Sequence, residues 1–244
     1  MNRKNESAAM DVLALDIGAK NMAYCRLAEK QDTGEWQIKE WACEAAAEGN
    51  TIAERVRGVV KWFHRKDWSG VTVFAVEQQN CKAPTNYALH MVLYALLIRR
   101  YPKAKVVLQP SPQKYSYFGV GGSGHGWRQR KNLSVTIAKA LFKCGPMSLV
   151  LQEGESNPLF QSGKKDDFAD SLNIAVVEII KSGSLKGLEM KSIVSDYTVM
   201  QAEIKKRDAR VEVRDRSPTS GLRKRRRQPL SSTGFSRSSS GSSE

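Results

Sequence analysis

Four acidic side chains carry the chemistry that is easiest to recognise in this sequence. Asp16 and Glu77 each follow a largely apolar run of the kind that forms a buried strand. Asp167 and Asp170 are three residues apart in a predicted helix, so they share one face of it. If the two strands are neighbours in a sheet, the four carboxylates converge at one end of that sheet.

Buried carboxylates that lie close together repel one another and raise one another's pKa. Hard divalent cations with oxygen ligands, Mg²⁺ or Mn²⁺, relieve that repulsion. Two such ions a few ångströms apart can activate a water molecule and stabilise the leaving oxygen of a phosphodiester. The four acids therefore predict metal-dependent phosphodiester hydrolysis, with two ions in the site.

Each acidic group also has a simpler interpretation. Asp16 could merely open the turn at Gly18. The acids at the start of the last predicted helix could merely favour its N-terminus through the helix dipole. Neither explanation accounts for two apolar strands that both end in a carboxylate. Asp166, next to Asp167, leaves open a register alternative for the metal ligand on that helix.

The elements that position these acids alternate between strands and helices. Apolar periodicity predicts strands over 12–15, 22–27, 36–42, 71–77 and 105–109, and helices over 51–65, 85–100, 128–143 and 164–180. The segment 111–126 between the last strand and the third helix reads as a glycine- and aromatic-rich loop. The order indicates an α/β fold with a central mixed sheet of five strands flanked by helices.

Composition limits the partners and the domain plan. The 244 residues carry a formal net charge of +14 and a pI near 9.7, which favours binding to a polyanion such as nucleic acid. No apolar run is long enough to span a membrane. We predict an N-terminal extension over 1–10, a nuclease domain over 11–185, an extension of uncertain character over 186–202 and a disordered basic, Ser/Arg-rich tail over 203–244.

Three motifs occur in an order that resembles a known family. They are Leu-Asp16-Ile-Gly-Ala-Lys-Asn, Val-Glu77-Gln-Gln and Lys-Lys165-Asp-Asp-Phe-Ala-Asp170-Ser. The set is similar to the motifs of RuvC-like Holliday junction resolvases, especially the poxvirus-type and fungal mitochondrial branches. The similarity covers about residues 11–181 and leaves the tail outside.

The resemblance implies an RNase H-like fold and a homodimer that cuts four-way DNA junctions by paired incisions. It implies Mg²⁺ or Mn²⁺ as cofactor, and 5′-phosphate and 3′-hydroxyl ends. It assigns the catalytic, metal-binding acids to Asp16, Glu77, Asp167 and Asp170. It also implies a catalytic basic residue after the strand at 105–109. Lys114 is our candidate for it, and an ordinary surface lysine is the alternative.

A set of cations and aromatic residues could contact the DNA. Aromatic rings among cations can stack on unpaired bases at a junction centre, although a loop pinned by core aromatics would look the same. The candidates are Lys114, Tyr115, Phe118, Arg128, Arg130, Lys131, Lys164 and Lys165. Lys164 and Lys165 could instead fill the catalytic basic role or simply balance the acids beside them.

Other functions remain compatible with the same residues. A related nuclease acting on flaps or RNA–DNA hybrids would use the same acids, and a non-catalytic nucleic-acid-binding relative would keep the fold. An actin- or hexokinase-like ATPase also opens with a strand ending in Asp-x-Gly, but this chain looks too short for its two domains. The basic run 222–227 is typical of a nuclear-import signal, a nucleic-acid clamp or a solubilising tail. We therefore expect an intracellular protein, in the nucleus or at a viral replication site.

Overall fold

The computed structural model describes residues 9–33, 35–120, 127–144, 149–151, 157–161, 165–184, 194–199 and 202. The chain divides into two units, 1–202 and 203–244, and every described residue belongs to the first. The predicted tail therefore lies outside the described residues, as do most of the N-terminal extension and Lys164.

A mixed sheet forms the centre of the first unit. Its strands are β1 (Asp11–Ile17), β2 (Asn21–Glu29), β3 (Trp36–Ala45), β4 (Val73–Gln78), β5 (Lys105–Pro110) and β6 (Leu149–Val150), in the spatial order β5-β4-β1-β2-β3-β6. The first three strands form an antiparallel meander, and β4 and β5 add to β1 in parallel. This confirms the predicted five strands; the two-residue β6, parallel to β3, extends one edge and was not predicted.

Helices cover both faces of this sheet. They are α1 (Ile52–His64), α2 (Pro84–Arg100), α3 (Gln113–Ser116), α4 (Trp127–Cys144) and α5 (Lys165–Lys181). The single turn of α3 lies within the segment predicted as a loop. A further short helix over 194–199 buries Val194 and Tyr197 against the core, so part of the uncertain extension packs with the domain.

The alternation of side chains along β1 divides the core into two clusters. Val12 and Ala14 face a cluster built with α4 and α5, whereas Leu13 and Leu15 face one built with α1 and α2. A strand buried on both faces needs the continuous apolar sequence that β1 has. Because β1 lies between β4 and β2, Asp16 near its C-terminal end is placed at one end of the central part of the sheet.

The parallel register of β1 and β4 brings their ends together. Leu15 is paired with Val76, and the next residues along the two strands are Asp16 and Glu77. Just beyond Asp16, the Gly18 amide donates to the Asn21 carbonyl oxygen at 3.0 Å. A Cβ on Gly18 would lie 2.7 Å from that oxygen, so only glycine fits this tight turn without a shift.

Helix α5 is buried on almost every side after its first turn. Its residues 171–180 are all buried, because the helix packs both on the sheet and against α4. The predicted apolar face, which includes Leu172, Val176 and Ile179, is confirmed. This packing places the N-terminal turns of α5 beside the ends of β1 and β4.

Candidate active site

Three of the predicted acids and the predicted lysine lie together at the end of the sheet. Asp16 comes from β1, Glu77 from β4, Asp170 from α5 and Lys114 from α3. Glu77 is hydrogen-bonded to Asp16 and ion-paired with Lys114. Residues separated by as much as 154 positions in the sequence therefore form one polar cluster in the interior.

Lys114 occupies the centre of the cluster. Its Nζ lies 3.1 Å from Glu77 Oε1 and 2.8 Å from Asp170 Oδ1. The residue is only 3% exposed. A buried ammonium group is stable only when nearby anions compensate its desolvation. Lys114 is therefore a constituent of the acidic site, and the alternative of a surface lysine is wrong.

The carboxyl groups of Asp16 and Glu77 change each other's pKa. Burial raises the pKa of the Asp16 carboxyl well above its ordinary value, and the negative charge of Glu77 raises it further. Burial would also raise the pKa of Glu77, but Lys114 and the hydrogen bond from Asp16 outweigh it and lower that pKa. Of the two carboxyl groups, Asp16 is therefore the one that binds a proton more readily and Glu77 the one that ionises more readily. Part of the Asp16 side chain is accessible from a cleft.

Burial and nearby charges also change the pKa values of Asp170 and Lys114. Burial raises the pKa of Asp170, and hydrogen bonds from Lys114 and Ser134 offset part of that rise. Burial would lower the pKa of Lys114, but the charges of Glu77, Asp170 and Asp16 outweigh it and raise that pKa. The lysine is therefore a permanent cation in the site.

The side chains of Asp167 and Asp166 have different neighbours. Asp167 lines the same cleft as Asp16, together with Gly18 and Asn21, and its Oδ2 lies 3.8 Å from Cys43 Sγ. Asp166 instead forms an ion pair with Lys131 of α4. Of the two register alternatives, Asp167 is the one that shares a cavity with the acid of β1.

The donor set has the right chemistry for a divalent cation. Three carboxyl groups surround a single ammonium group, so the cluster can ionise fully only if further positive charge is supplied. Carboxylate oxygens are the ligands that Mg²⁺ and Mn²⁺ prefer. Among the described residues, however, no three Asp, Glu, His or Cys side chains already form a closed cage for an ion. The residues fit a metal site in which a cation would offset the repulsion between the carboxylates of Asp16, Glu77 and Asp170.

Cations line the surface beside this cluster. Arg128, Lys131 and Lys165 line an open cleft between α4 and the start of α5, where Asp166 also lies. Arg130 lines a second cleft with Glu77 and Ser111. Of the predicted cationic DNA contacts that the structure describes, Arg130 therefore shares a cleft with an acid of the cluster, and Arg128, Lys131 and Lys165 share a separate one. Lys114 is buried within the cluster, so the prediction that it lies on a DNA-contacting surface is wrong.

The two aromatic candidates require a correction. Phe118 is 1% exposed and Tyr115 is also buried, and both belong to the core cluster under α4 and α5. The Tyr115 hydroxyl donates to the Arg130 carbonyl oxygen at 3.4 Å. Rings packed in the core have no free face on which a base could stack. The predicted stacking role is therefore wrong for both residues, which instead anchor the segment that carries Lys114.

Sequence reasoning missed two polar residues behind Asp170. Ser134 of α4 and Asn173 of α5 are both fully buried. The Ser134 hydroxyl donates to Asp170 Oδ1, and the Asn173 amide donates to Ser134 Oγ at 2.8 Å. The available signal was a polar residue at a core-facing helical position, which is costly unless it is hydrogen-bonded.

Comparison with known proteins identifies the family. The model of the poxvirus A22 protein family matches residues 10–182. The chain belongs to this family. The poxvirus A22 proteins are the poxvirus Holliday junction resolvases, so the resemblance read from the motifs is confirmed. The predicted function class, a junction-cleaving endonuclease of viral type, is confirmed with it.

A solved viral resolvase agrees with the family at the level of the fold. A fowlpox virus resolvase in complex with substrate Holliday junction DNA is 19% identical, with a TM-score of 0.50 over 71% of this chain and 99% of that one. RuvC of Thermus thermophilus is 14% identical, with a TM-score of 0.45 over 72% of this chain and 98% of that one. The predicted RNase H-like fold is confirmed. A search of curated protein sequences gave no significant match.

Proposed function

We propose that this A22-family protein resolves four-way DNA junctions by metal-dependent phosphodiester hydrolysis, leaving 5′-phosphate and 3′-hydroxyl ends. Asp16, Glu77, Asp167 and Asp170 hold two Mg²⁺ or Mn²⁺ ions. The observation that carries the proposal is the gathering of Asp16, Glu77 and Asp170 around buried Lys114. A cluster in which one cation faces three acids carries excess negative charge and is a strong attractor for hard dications.

The chemistry divides between the metal and the chain. When bound, the ions supply Lewis-acid activation of a water molecule and stabilisation of the leaving oxygen. Asp16 and Glu77, at the ends of two neighbouring strands, would contribute carboxylate oxygens to the ions. Lys114 holds Glu77 and Asp170 in fixed positions through its two ion pairs. Asp167 faces the cleft that gives access to Asp16, which is where a scissile phosphate has room to approach.

Junction DNA binds on the cationic surface next to the acids. Arg128, Lys131 and Lys165 share one cleft, and Arg130 lines a second cleft together with Glu77. Cations that neutralise phosphates make binding salt-dependent, without reading sequence directly. The fowlpox resolvase, which was solved with junction DNA, supports a four-way junction as substrate for this chain too.

A homodimer formed through α2 supplies the second active centre for paired incisions. Tyr87, Met91 and Ile98 are exposed at spacings of four and seven residues, so they lie on one face of this helix. The opposite face, which includes Leu89 and Leu93, packs in the core. A helix that is apolar on both faces is typical of one that is covered on both sides.

The cellular place of action is an intracellular site that contains junction DNA. We expect the nucleus or a viral replication site, because the basic run 222–227 has the composition of an import signal. No helix among the described residues is long and apolar enough to cross a membrane. A fluorescent fusion with and without residues 203–244 measures the contribution of the tail.

A substrate panel tests the proposed function. The full-length protein is incubated with a synthetic four-way junction, a linear duplex, a 5′ flap and an RNA–DNA hybrid, each with Mg²⁺ or with EDTA. We expect symmetric cleavage of the junction only, in Mg²⁺ only, with products that T4 ligase reseals without prior phosphorylation. Equal cleavage of the flap or the hybrid would replace this function with that of a general RNase H-like nuclease.

A further inference from the structure

Ser134 and Asn173 form a buried polar contact between two otherwise apolar helix faces. Asn173 Nδ2 donates to Ser134 Oγ at 2.8 Å and to the Ser134 carbonyl oxygen at 3.0 Å. Ser134 Oγ donates in turn to Asp170 Oδ1. Both residues are fully buried, and their neighbours in the interface between α4 and α5 include Ile137, Ala138 and other apolar side chains.

The direction of the hydrogen bonds is fixed by the groups involved. The Asn173 amide can only donate through Nδ2, so it uses Ser134 Oγ as an acceptor. The one hydroxyl proton of Ser134 is then free to point at Asp170. Asn173 therefore orients the Ser134 hydroxyl, and the hydroxyl in turn orients the carboxylate.

The two carboxylate oxygens of Asp170 differ in their hydrogen-bond partners. Oδ1 accepts from both the Ser134 hydroxyl and Lys114 Nζ, the latter at 2.8 Å. No group in the described part of the chain donates to Oδ2. Two donors on one oxygen fix the plane of the carboxylate and leave the second oxygen for a ligand.

Packing alone does not explain a serine and an asparagine at these positions. Burial of polar groups costs free energy unless they are hydrogen-bonded, and Asn173 Oδ1 has no partner among the described residues. A pair of apolar side chains would fill the same interface without that cost. A role in orienting the Asp170 carboxylate would explain why Ser134 and Asn173 are present despite this free-energy cost.

We propose that Ser134 and Asn173 are positioning residues that anchor Oδ1 of Asp170 and so reserve Oδ2 for a divalent cation. The inference rests on the proposed function, because it concerns the same site. Groups that orient a metal-ligating carboxylate typically change metal affinity or activity by about ten- to a hundred-fold when they are removed.

The test compares Ser134→Ala with Ser171→Ala. Ser171 is also fully buried and lies next to Asp170, but its hydroxyl donates to the Phe168 carbonyl oxygen at 2.9 Å. We expect Ser134→Ala to raise the Mg²⁺ concentration for half-maximal junction cleavage on the order of ten-fold. Ser171→Ala should leave it unchanged. Junction affinity in EDTA should be the same for both variants and the wild type.

Asn173→Leu provides a second test through a double-mutant comparison. If Asn173 acts through Ser134, the double variant should require the same Mg²⁺ concentration as Ser134→Ala alone. Ser134→Cys, which keeps the volume and a weak donor, should lie between Ser134→Ala and the wild type. If Asn173→Leu does not fold, the series Ser, Cys and Ala at position 134 still decides the question.

A binding measurement separates this inference from the proposed function. The shift in melting temperature caused by Mg²⁺ is recorded for each variant without DNA. If the wild type neither cleaves junctions nor gains stability from Mg²⁺, the proposed function fails. If the wild type does both, and Ser134→Ala needs the same Mg²⁺ concentration as Ser171→Ala for its shift in melting temperature, the positioning role is refuted.

Discussion

Lys114 Nζ lies 2.8 Å from Asp170 Oδ1; the lysine side chain is 4% exposed and the aspartate side chain 16% exposed. The same ammonium lies 3.1 Å from Glu77 Oε1. One cation thus joins the carboxylates of a strand and a helix that are 93 positions apart in the sequence. The catalytic end of the domain is therefore held by charge as well as by apolar packing.

Replacement of Lys114 by Met should destabilise the protein. Among the described residues, Glu77 and Asp170 form their ion pairs with Lys114, and both pairs would be lost. Methionine keeps most of the buried apolar stem of the lysine. Removing one partner of a buried ion pair typically costs about 3–5 kcal/mol. Urea unfolding in EDTA should show a loss of this size. Mg²⁺ should restore more stability to the variant than to the wild type, and equal Mg²⁺ effects would contradict the role assigned to Lys114.

A second prediction concerns a hydrogen-bonded cluster beneath α1. Glu44 accepts from Tyr24, Lys66 and the indole of Trp62, each at 2.7 Å. Burial would raise the pKa of Glu44, but these hydrogen bonds outweigh it and lower that pKa. The group therefore contributes stability that is present above its unfolded-state pKa and is lost as pH falls through the lower folded-state value.

Glu44→Gln tests that linkage. The variant should be less stable than the wild type at pH 7, by about 1–3 kcal/mol, since an ionised acceptor is lost and the geometry of three donors is disturbed. The difference should shrink as pH falls below 4.5, the ordinary pKa of the group. Chemical denaturation from pH 7 to pH 3 measures it, and a constant difference across that range would contradict the prediction.

His90 should be a position at which an apolar residue stabilises the fold. The side chain is buried, and neither ring nitrogen has a hydrogen-bond partner among the described residues. His90→Leu removes two unsatisfied polar atoms, for which the expected gain is about 1–3 kcal/mol. Thermal unfolding at pH 7.5 measures the gain. A loss of stability would show that the imidazole contributes through contacts that leucine cannot make.

The same histidine should also make stability depend on pH. Burial lowers its pKa below the ordinary value of 6.5, so the unfolded chain binds a proton more readily than the folded one. Wild-type stability should therefore fall as pH drops below about 6.5. His90→Leu should lack that component, and identical pH profiles for the two proteins would exclude it.

The proposed dimer can be disrupted at α2. Met91 is 43% exposed in the middle of the apolar stripe, so Met91→Asp should produce a monomer that keeps its fold. Ile52→Asp is the matched control, because Ile52 is 42% exposed but lies at the start of α1. Light scattering after gel filtration measures the mass. Dimers in both variants would place the interface elsewhere, and monomeric wild type would exclude the dimer.

Local patterns were sufficient to predict much of the fold and part of the site. Asp16 and Glu77 could be found because buried strands have a continuous apolar sequence and each is followed by an acid. Asp170 could be found from its spacing on α5. The arrangement of β1 and β4 as parallel neighbours completed the site, but their contact is a tertiary property that the sequence only suggests.

The parts that were not predicted depend on distant partners. Ser134 lies 36 residues from Asp170 and 39 from Asn173, so no local pattern connects them. Composition does not distinguish an exposed aromatic ring from one that anchors a segment in the core, which is why the predicted DNA contacts of Tyr115 and Phe118 are wrong. The single turn α3 contains Tyr115, which packs in the core, and its burial depends on residues far away in the sequence.

The most direct measurement is cleavage of a synthetic four-way junction by the wild type and by Asp16→Asn, over a range of Mg²⁺ concentrations. Junction binding in EDTA is recorded in parallel. The proposed site predicts that the wild type cleaves the junction only with Mg²⁺. Asp16→Asn should lose about a hundred-fold or more in cleavage rate, because a metal ligand is removed. Its affinity for the junction in EDTA should equal that of the wild type. Wild-type rates in Asp16→Asn, or full cleavage in EDTA, would contradict the central claim that these acids hold catalytic cations.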